Sequence, residues 1–214
     1  MRESYRGELD DITSCLVEMA NSVGSAMSTA TTALLDADVA LADLVIAGDE
    51  HIDGVRESIE QRCFTLLARQ QPVATDLRMI TTAMRIVGDL ERMGDLAAHI
   101  AKVARMRFPD SAVPQEVRPI FLDAGNVAES LVTKAGTIIA KRDVAAAVEL
   151  EADDDLMDRL HAQLFRELLS EDWRHGIESA IDITLLGRYY ERFADHAVSV
   201  ARRVVYLVTG ERPA

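Results

Sequence analysis

Very little in this sequence is suited to sheets. Aromatic residues make up only 5% of its 214 positions. Ala, Leu, Val, Asp, Glu and Arg dominate, a helix-forming composition that lacks the β-branched and aromatic enrichment of strands. Only two cysteines are present. Both lie in apolar stretches of expected helices, so a disulfide framework is excluded and Cys15 and Cys63 are expected as reduced, buried thiols. Positive charge is also short: 23 Lys and Arg face 36 Asp and Glu, a formal net charge of -13. That excludes general nucleic-acid binding, because a polyanion is held by clustered Lys and Arg that displace its counterions. Cations or basic protein surfaces are the better-matched partners. No apolar run approaches the ~18 residues needed to span a bilayer. The opening Met1-Arg2-Glu3-Ser4-Tyr5-Arg6 has no apolar signal core. A cytoplasmic protein with no membrane span of its own is expected. The 11 glycines are scattered rather than gathered into a phosphate loop. Gly88, Gly94 and Gly187 fall inside expected helices, where they are read as points of close helix contact. No Ser–His–Asp arrangement is apparent.

What is present is periodicity. Leu9, Ile12, Leu16, Met19, Val23, Ala26, Ala30 and Leu34 recur at steps of three and four, the stripe of a long amphipathic helix. It should stop near Asp36-Ala37-Asp38, with Asp38 capping a second helix to about residue 69. Pro72 is expected to open a third helix reaching about residue 108. The segment to Pro119, with Pro109 and Pro114, reads as a linker.

The pattern then repeats. Asp143-Val144-Ala145-Ala146-Ala147-Val148-Glu149-Leu150-Glu151-Ala152-Asp153-Asp154-Asp155-Leu156-Met157-Asp158 aligns without gaps on the sixteen residues from Asp38 to Asp53. Glu191-Arg192-Phe193-Ala194-Asp195-His196-Ala197 follows Glu91-Arg92-Met93-Gly94-Asp95-Leu96-Ala97 at a spacing of 100. The expectation is an all-α fold of two tandem pseudo-symmetric three-helix bundles, residues 1–108 and 119–214, joined by a linker at 109–118.

Four acidic pairs occupy matching places in the two halves: Asp49 with Asp53, Glu91 with Asp95, Asp154 with Asp158, and Glu191 with Asp195. An i, i+4 spacing stacks both carboxylates on one helix face, where like charges cost roughly 0.2–0.5 kcal/mol per pair. A solvated acidic face is the ordinary meaning of such charge. Here the pairs of the third helices lie one position off the apolar stripes Ala83, Ile86, Leu90, Met93, Ala97, Ile100, Ala104 and Ile183, Leu186, Tyr190, Phe193, Ala197, Val200, Val204. If the second-helix pair faces the third-helix pair, four carboxylates converge in each repeat and call for a cation. Oxygen-only donors favour Mg²⁺ or Mn²⁺, with iron or zinc as further candidates. His99 and His161 lie close enough in sequence to join such sites; His51, His175 and His196 offer less. A di-iron carboxylate bundle needs two Glu-x-x-His elements, and only Asp158-x-x-His161 comes near one. Arg92 and Arg192 are expected to pair with neighbouring carboxylates.

Gln71-Pro72-Val73-Ala74-Thr75-Asp76-Leu77-Arg78, Asp89-Leu90-Glu91-Arg92-Met93-Gly94-Asp95 and Arg188-Tyr189-Tyr190-Glu191-Arg192-Phe193-Ala194-Asp195-His196-Ala197 resemble the signature segments of the PhoU family, accessory proteins of bacterial phosphate-specific transport. The Phe193-Ala194-Asp195-His196-Ala197-Val198 form is similar to actinobacterial, mycobacterial-type members. The resemblance implies two three-helix bundles with E/D-x-x-x-D metal motifs, which by position are Asp49, Asp53, Glu91, Asp95, Asp154, Asp158, Glu191 and Asp195. It implies a homodimer, and a cytoplasmic negative regulator, peripheral at the inner membrane face through its partners, that couples the phosphate ABC transporter's ATPase subunit to a sensor histidine kinase. The sequence departs from the family where His99 and Ser199 stand in place of a frequent Asn. Asp49 and Asp154 replace glutamate, a reach shorter by one methylene. A metal-dependent oxidase or phosphate-ester hydrolase is the alternative, since clustered metals activate water. A helical scaffold without metal is the third reading.

Overall fold

The computed structural model describes the backbone of residues 2–211 and the side chains of residues 5–211. Six helices follow one another: α1 (Arg2–Asp36), α2 (Val39–Gln70), α3 (Ala74–Arg107), α4 (Arg118–Lys141), α5 (Val144–Leu168) and α6 (Gly176–Thr209). The described residues contain no strand.

The repeat seen in the sequence reappears as a repeated turn. Ala37 ends α1 in the left-handed region at φ 52°, and Arg142 ends α4 in the same way at φ 53°. An aspartate follows each. Asp38 Oδ1 accepts from the N–H groups of Ala40 and Leu41 at 2.9 and 3.0 Å, and Asp143 Oδ1 from that of Ala146 at 3.0 Å. Each cap satisfies first-turn donors that have no partner inside the helix, a contribution of about 1 kcal/mol.

Pro72 does not open α3 as expected. Gln71 closes α2 in the left-handed region, and Val73, extended at φ -128°, is the N-cap before Ala74. A proline disfavours right-handed helical geometry in the residue before it, so the break falls around Pro72 and the helix begins two residues later. Pro119 does sit in the first turn of α4. The segment at 108–117 is held down by Ala112, Val113 and Val117, all buried.

Both third-helix stripes are buried along their whole length, from Ala83 to Ala104 and from Ile183 to Val204. α1 packs on α2 and α3, and α4 on α5 and α6, which closes the two three-helix bundles. The bundles share one continuous core, because α1 also packs on α4 and α3 on α6. Among the described residues α2 touches only α1 and α3, and α5 only α4 and α6. The result is a central layer of α1, α3, α4 and α6 flanked by α2 and α5. Tyr190 is pinned at its middle: its hydroxyl pairs with the Thr31 hydroxyl at 2.8 Å, and its ring lies 5.8 Å from that of Phe121. Each large apolar side chain so buried contributes roughly 1.5–3 kcal/mol, and truncating Leu90, which is fully buried, to alanine would cost about 2–5 kcal/mol.

Candidate metal-binding site

Each outer helix approaches its inner neighbour at a glycine. A methyl group on Gly94 would stand 3.0 Å from Ile52 Cδ1 and 3.7 Å from Asp49 Oδ1, so α2 lies against α3 between Glu91 and Asp95. A methyl on Gly187 would meet Leu164 Cδ1 at 3.0 Å and the His161 ring at 3.3 Å, one turn before Glu191. Gly88, in contrast, has open space where a side chain would go and supports no close approach.

Electrostatics follow from this packing. Burial raises the Asp49 carboxyl above the ordinary aspartate value, and the charge of Asp95 on the facing helix adds to it, as does Asp53. Glu91 is raised by burial and then by Asp95, with Asp53 of α2 contributing. In the second repeat burial, Asp158, Asp195 and Glu191 together push Asp154 up to about 6. In each repeat the negative charge of the inner helix thus reaches at least one carboxylate of the outer pair, Asp49 in the first and Asp154 in the second. Glu91, Asp95 and Glu191 lie at the core rim, half-buried, while Asp158 and Asp195 are exposed.

Arginines occupy part of this negative surface. Arg92 reaches Asp95 at 2.8 Å and Glu91 at 3.7 Å. Arg192 forms no ion pair among the described residues; Arg188 pairs with Glu191 instead, one turn earlier on the same helix face. Among the described residues no three His, Cys, Asp or Glu side chains gather around a common point. The donors are nonetheless of one kind, carboxylate oxygens only partly neutralised by arginine, and that set suits a hard divalent cation in exchange for the arginines. His99 directs Nδ1 to the Asp95 carbonyl at 2.6 Å and lies 5.3 Å, centroid to centroid, from the Tyr189 ring of α6. The His161 ring meets Phe165 edge-on at 5.0 Å. Both rings are thus held by structural contacts at the margin of the acidic clusters. Cys63 is buried, with its thiol pushed up to about 11, while Cys15 is half-buried and accepts from Arg62 at 3.1 Å; both are free.

Sequence reasoning did not find a second polar cluster, on the seam between α3 and α6. Asp89, 8% exposed, accepts from Ser199 Oγ at 3.0 Å and from Arg203 Nε, and pairs with His196 Nδ1 at 3.2 Å. Burial by itself would raise its pKa, but the hydrogen bonds of His196, Arg203 and Ser199 and the Arg203 charge outweigh it and hold the carboxyl below its ordinary value. Asp182 of α6, also buried, takes Arg107 Nε of α3 at 2.6 Å. The one signal available was spacing: Asp182, Tyr189, His196 and Arg203 recur every seven residues on α6, on the face that meets Arg107, His99 and Asp89 of α3. That is a polar seam running through an apolar pattern.

A family model described as the PhoU domain matches residues 16–104 and again 121–204. The chain is 46% identical over 213 residues to the phosphate-specific transport system accessory protein PhoU homolog 2 of Mycobacterium tuberculosis, covering 100% of both chains. It is equally similar, at 46% over 213 residues, to PhoU homolog 1 of Mycobacterium leprae, covering 100% of this chain and 96% of that one. Its fold matches the crystal structure of PhoU from Pseudomonas aeruginosa with a TM-score of 0.90 at 33% identity, covering 97% of this chain and 100% of the other. The phosphate transport system regulatory protein PhoU from Streptococcus pneumoniae superposes with a TM-score of 0.88 at 27% identity, over 98% and 99% of the two chains.

Proposed function

The chain belongs to the PhoU family, of mycobacterial type, and from that premise we propose that it is an accessory protein of phosphate-specific transport acting as a negative regulator of the phosphate-starvation response. In this reading it is a cytoplasmic adaptor and homodimer that contacts the ATPase subunit of the phosphate ABC transporter and a sensor histidine kinase, at the inner face of the membrane. No helix among the described residues is long and apolar enough to cross a membrane, so attachment there would run through partners. The observation that carries the reading is likeness along the entire chain to accessory proteins of that transport system. Its work is binding rather than catalysis.

Each repeat is assigned one site for a divalent or transition cation, Mg²⁺, Mn²⁺, iron or zinc. Asp49, Asp53, Glu91 and Asp95 would hold the first, and Asp154, Asp158, Glu191 and Asp195 the second. Support comes from Gly94, which brings Asp49 of α2 against α3, and from the charges of Asp195 and Glu191 acting on Asp154 in the second repeat. A bound cation would neutralise the shared charge and fix α2 and α5 to the central layer.

Deleting the gene should derepress phosphate-scavenging genes in phosphate-rich medium; unchanged expression, with no paralogue to compensate, would count against the regulator. Elemental analysis of protein purified without chelators should find metal that a Glu91→Ala, Glu191→Ala double variant lacks. Substrate turnover by the metal-loaded protein, abolished in that variant, would favour the hydrolase or oxidase reading instead.

A further inference from the structure

At the end of the molecule away from the acidic pairs, the start of α1, the first turns of α3, the α4–α5 turn and the end of α6 enclose a cleft of about 540 Å³. It is lined by three guanidinium groups from three different places in the chain, Arg6, Arg78 and Arg142. Glu91 lies thirteen residues further along α3 than Arg78, roughly 20 Å at 1.5 Å per residue, so this is a separate site.

In a chain with a surplus of carboxylates, guanidiniums gathered at one place would be expected to find acidic partners. Among the described residues none of these three does. Arg78 Nε is buried without any hydrogen-bond partner, and its guanidinium lies against Gly210. Arg142 directs one terminal nitrogen at the Met79 sulfur at 3.4 Å, a weak acceptor. Asp10 and Asp76 also line the cleft, and among the described residues neither forms an ion pair with the arginines. The cap of α3 adds to the deficit: Val73 offers no side-chain acceptor to the first-turn N–H groups, which carry partial positive charge. Three guanidiniums face two carboxylates in the cleft, and none of the three is paired with either. Planar guanidiniums around one space match the oxygens of a phosphoryl group, which they bind bidentately. Leu9, Met79 and Leu207 supply an apolar wall beside them.

We propose that this cleft binds a phosphoryl anion, with Arg78 and Arg142 as its principal donors and Arg6 as a flexible third. The apolar wall and the volume favour a phosphorylated organic molecule over free phosphate. The inference goes beyond the regulatory reading and does not depend on it, because binding to the purified chain is measured without reference to gene expression.

Calorimetric titrations of the full chain, in EDTA so that no metal mediates binding, would use inorganic phosphate, adenosine 5′-triphosphate and inorganic sulfate in turn. Saturable binding of phosphate or the nucleotide is expected, stronger than that of sulfate and weakened about tenfold or more by Arg78→Gln and by Arg142→Asn, as the loss of a charge-assisted contact implies. Arg142 occupies an exposed left-handed turn position that asparagine tolerates, so this variant stays informative if Arg78→Gln misfolds. Tighter nucleotide than phosphate binding identifies the organic ester as the ligand class; the reverse identifies the free ion. Absence of saturation with both up to 10 mM, or affinity unchanged in a folded Arg142→Asn protein, overturns the proposal.

Discussion

Replacing Asp154 with asparagine removes one charge from the second acidic cluster while keeping the side chain's shape. Burial, then Asp158, Asp195 and Glu191, push its carboxyl from 3.8 to about 6. At about 1.4 kcal/mol per unit, ionising Asp154 in the metal-free fold costs about 3 kcal/mol. The group is only half-buried, so hydration and salt screen much of that, leaving about 1–1.5 kcal/mol. The sign follows from a folded pKa raised above the unfolded one. Below about pH 4 both states hold the proton and no cost exists; it grows between pH 4 and 6 and is fully present above 6. In EDTA at pH 7.5, Asp154→Asn should therefore be the more stable protein, with a melting temperature about 3–5 °C higher for a chain of this size. The advantage should close as pH falls to 4 and shrink in 1 M NaCl, where the screening length is about 3 Å. Adding Mn²⁺ or Mg²⁺ should reverse the order, since the wild type gains more from a cation. Calorimetric scans at two pH values, with and without metal, read all of this. A folded variant that is no more stable than wild type at pH 7.5 in EDTA would refute the account of a half-buried carboxyl held against neighbouring negative charge.

Other outcomes follow from the central seam. Asp89→Ala should cost about 3–5 kcal/mol by leaving Arg203 and His196 without their carboxylate, measured by urea unfolding. Because the Asp89 carboxyl is held below its ordinary value, its contribution is present above about pH 4 and fades as pH falls further, so wild type and variant should converge in acid. Gly88→Ala should stabilise by up to about 1 kcal/mol, since the space is open and alanine is the better helix former. Gly94→Ala, in the same helix, should lower the melting temperature, because Ile52 would have to give way. Thr31→Val should cost about 1–3 kcal/mol by leaving the buried Tyr190 hydroxyl unpaired, with the loss read as a lower urea midpoint at unchanged slope.

Local features decided a good deal before any coordinates. Caps at Asp38 and Asp143, the stripes of the long helices, the duplication and the acidic pairs all follow from 3.6-residue periodicity and first-turn hydrogen bonding, which act over a few residues and so are written in neighbouring letters. What the tertiary structure decided involves partners far apart in the chain. Gly88 and Gly94 look alike in sequence, yet only one has α2 against it. Asp89 is a single carboxylate until α6 brings up groups more than 100 residues away. The arginine cleft draws on α1, α3 and the α4–α5 turn, whose meeting depends on how two bundles fuse into one core. Periodicity tells each helix which face to bury, but which other face it meets is settled by packing between helices, and burial and charge take their values only there.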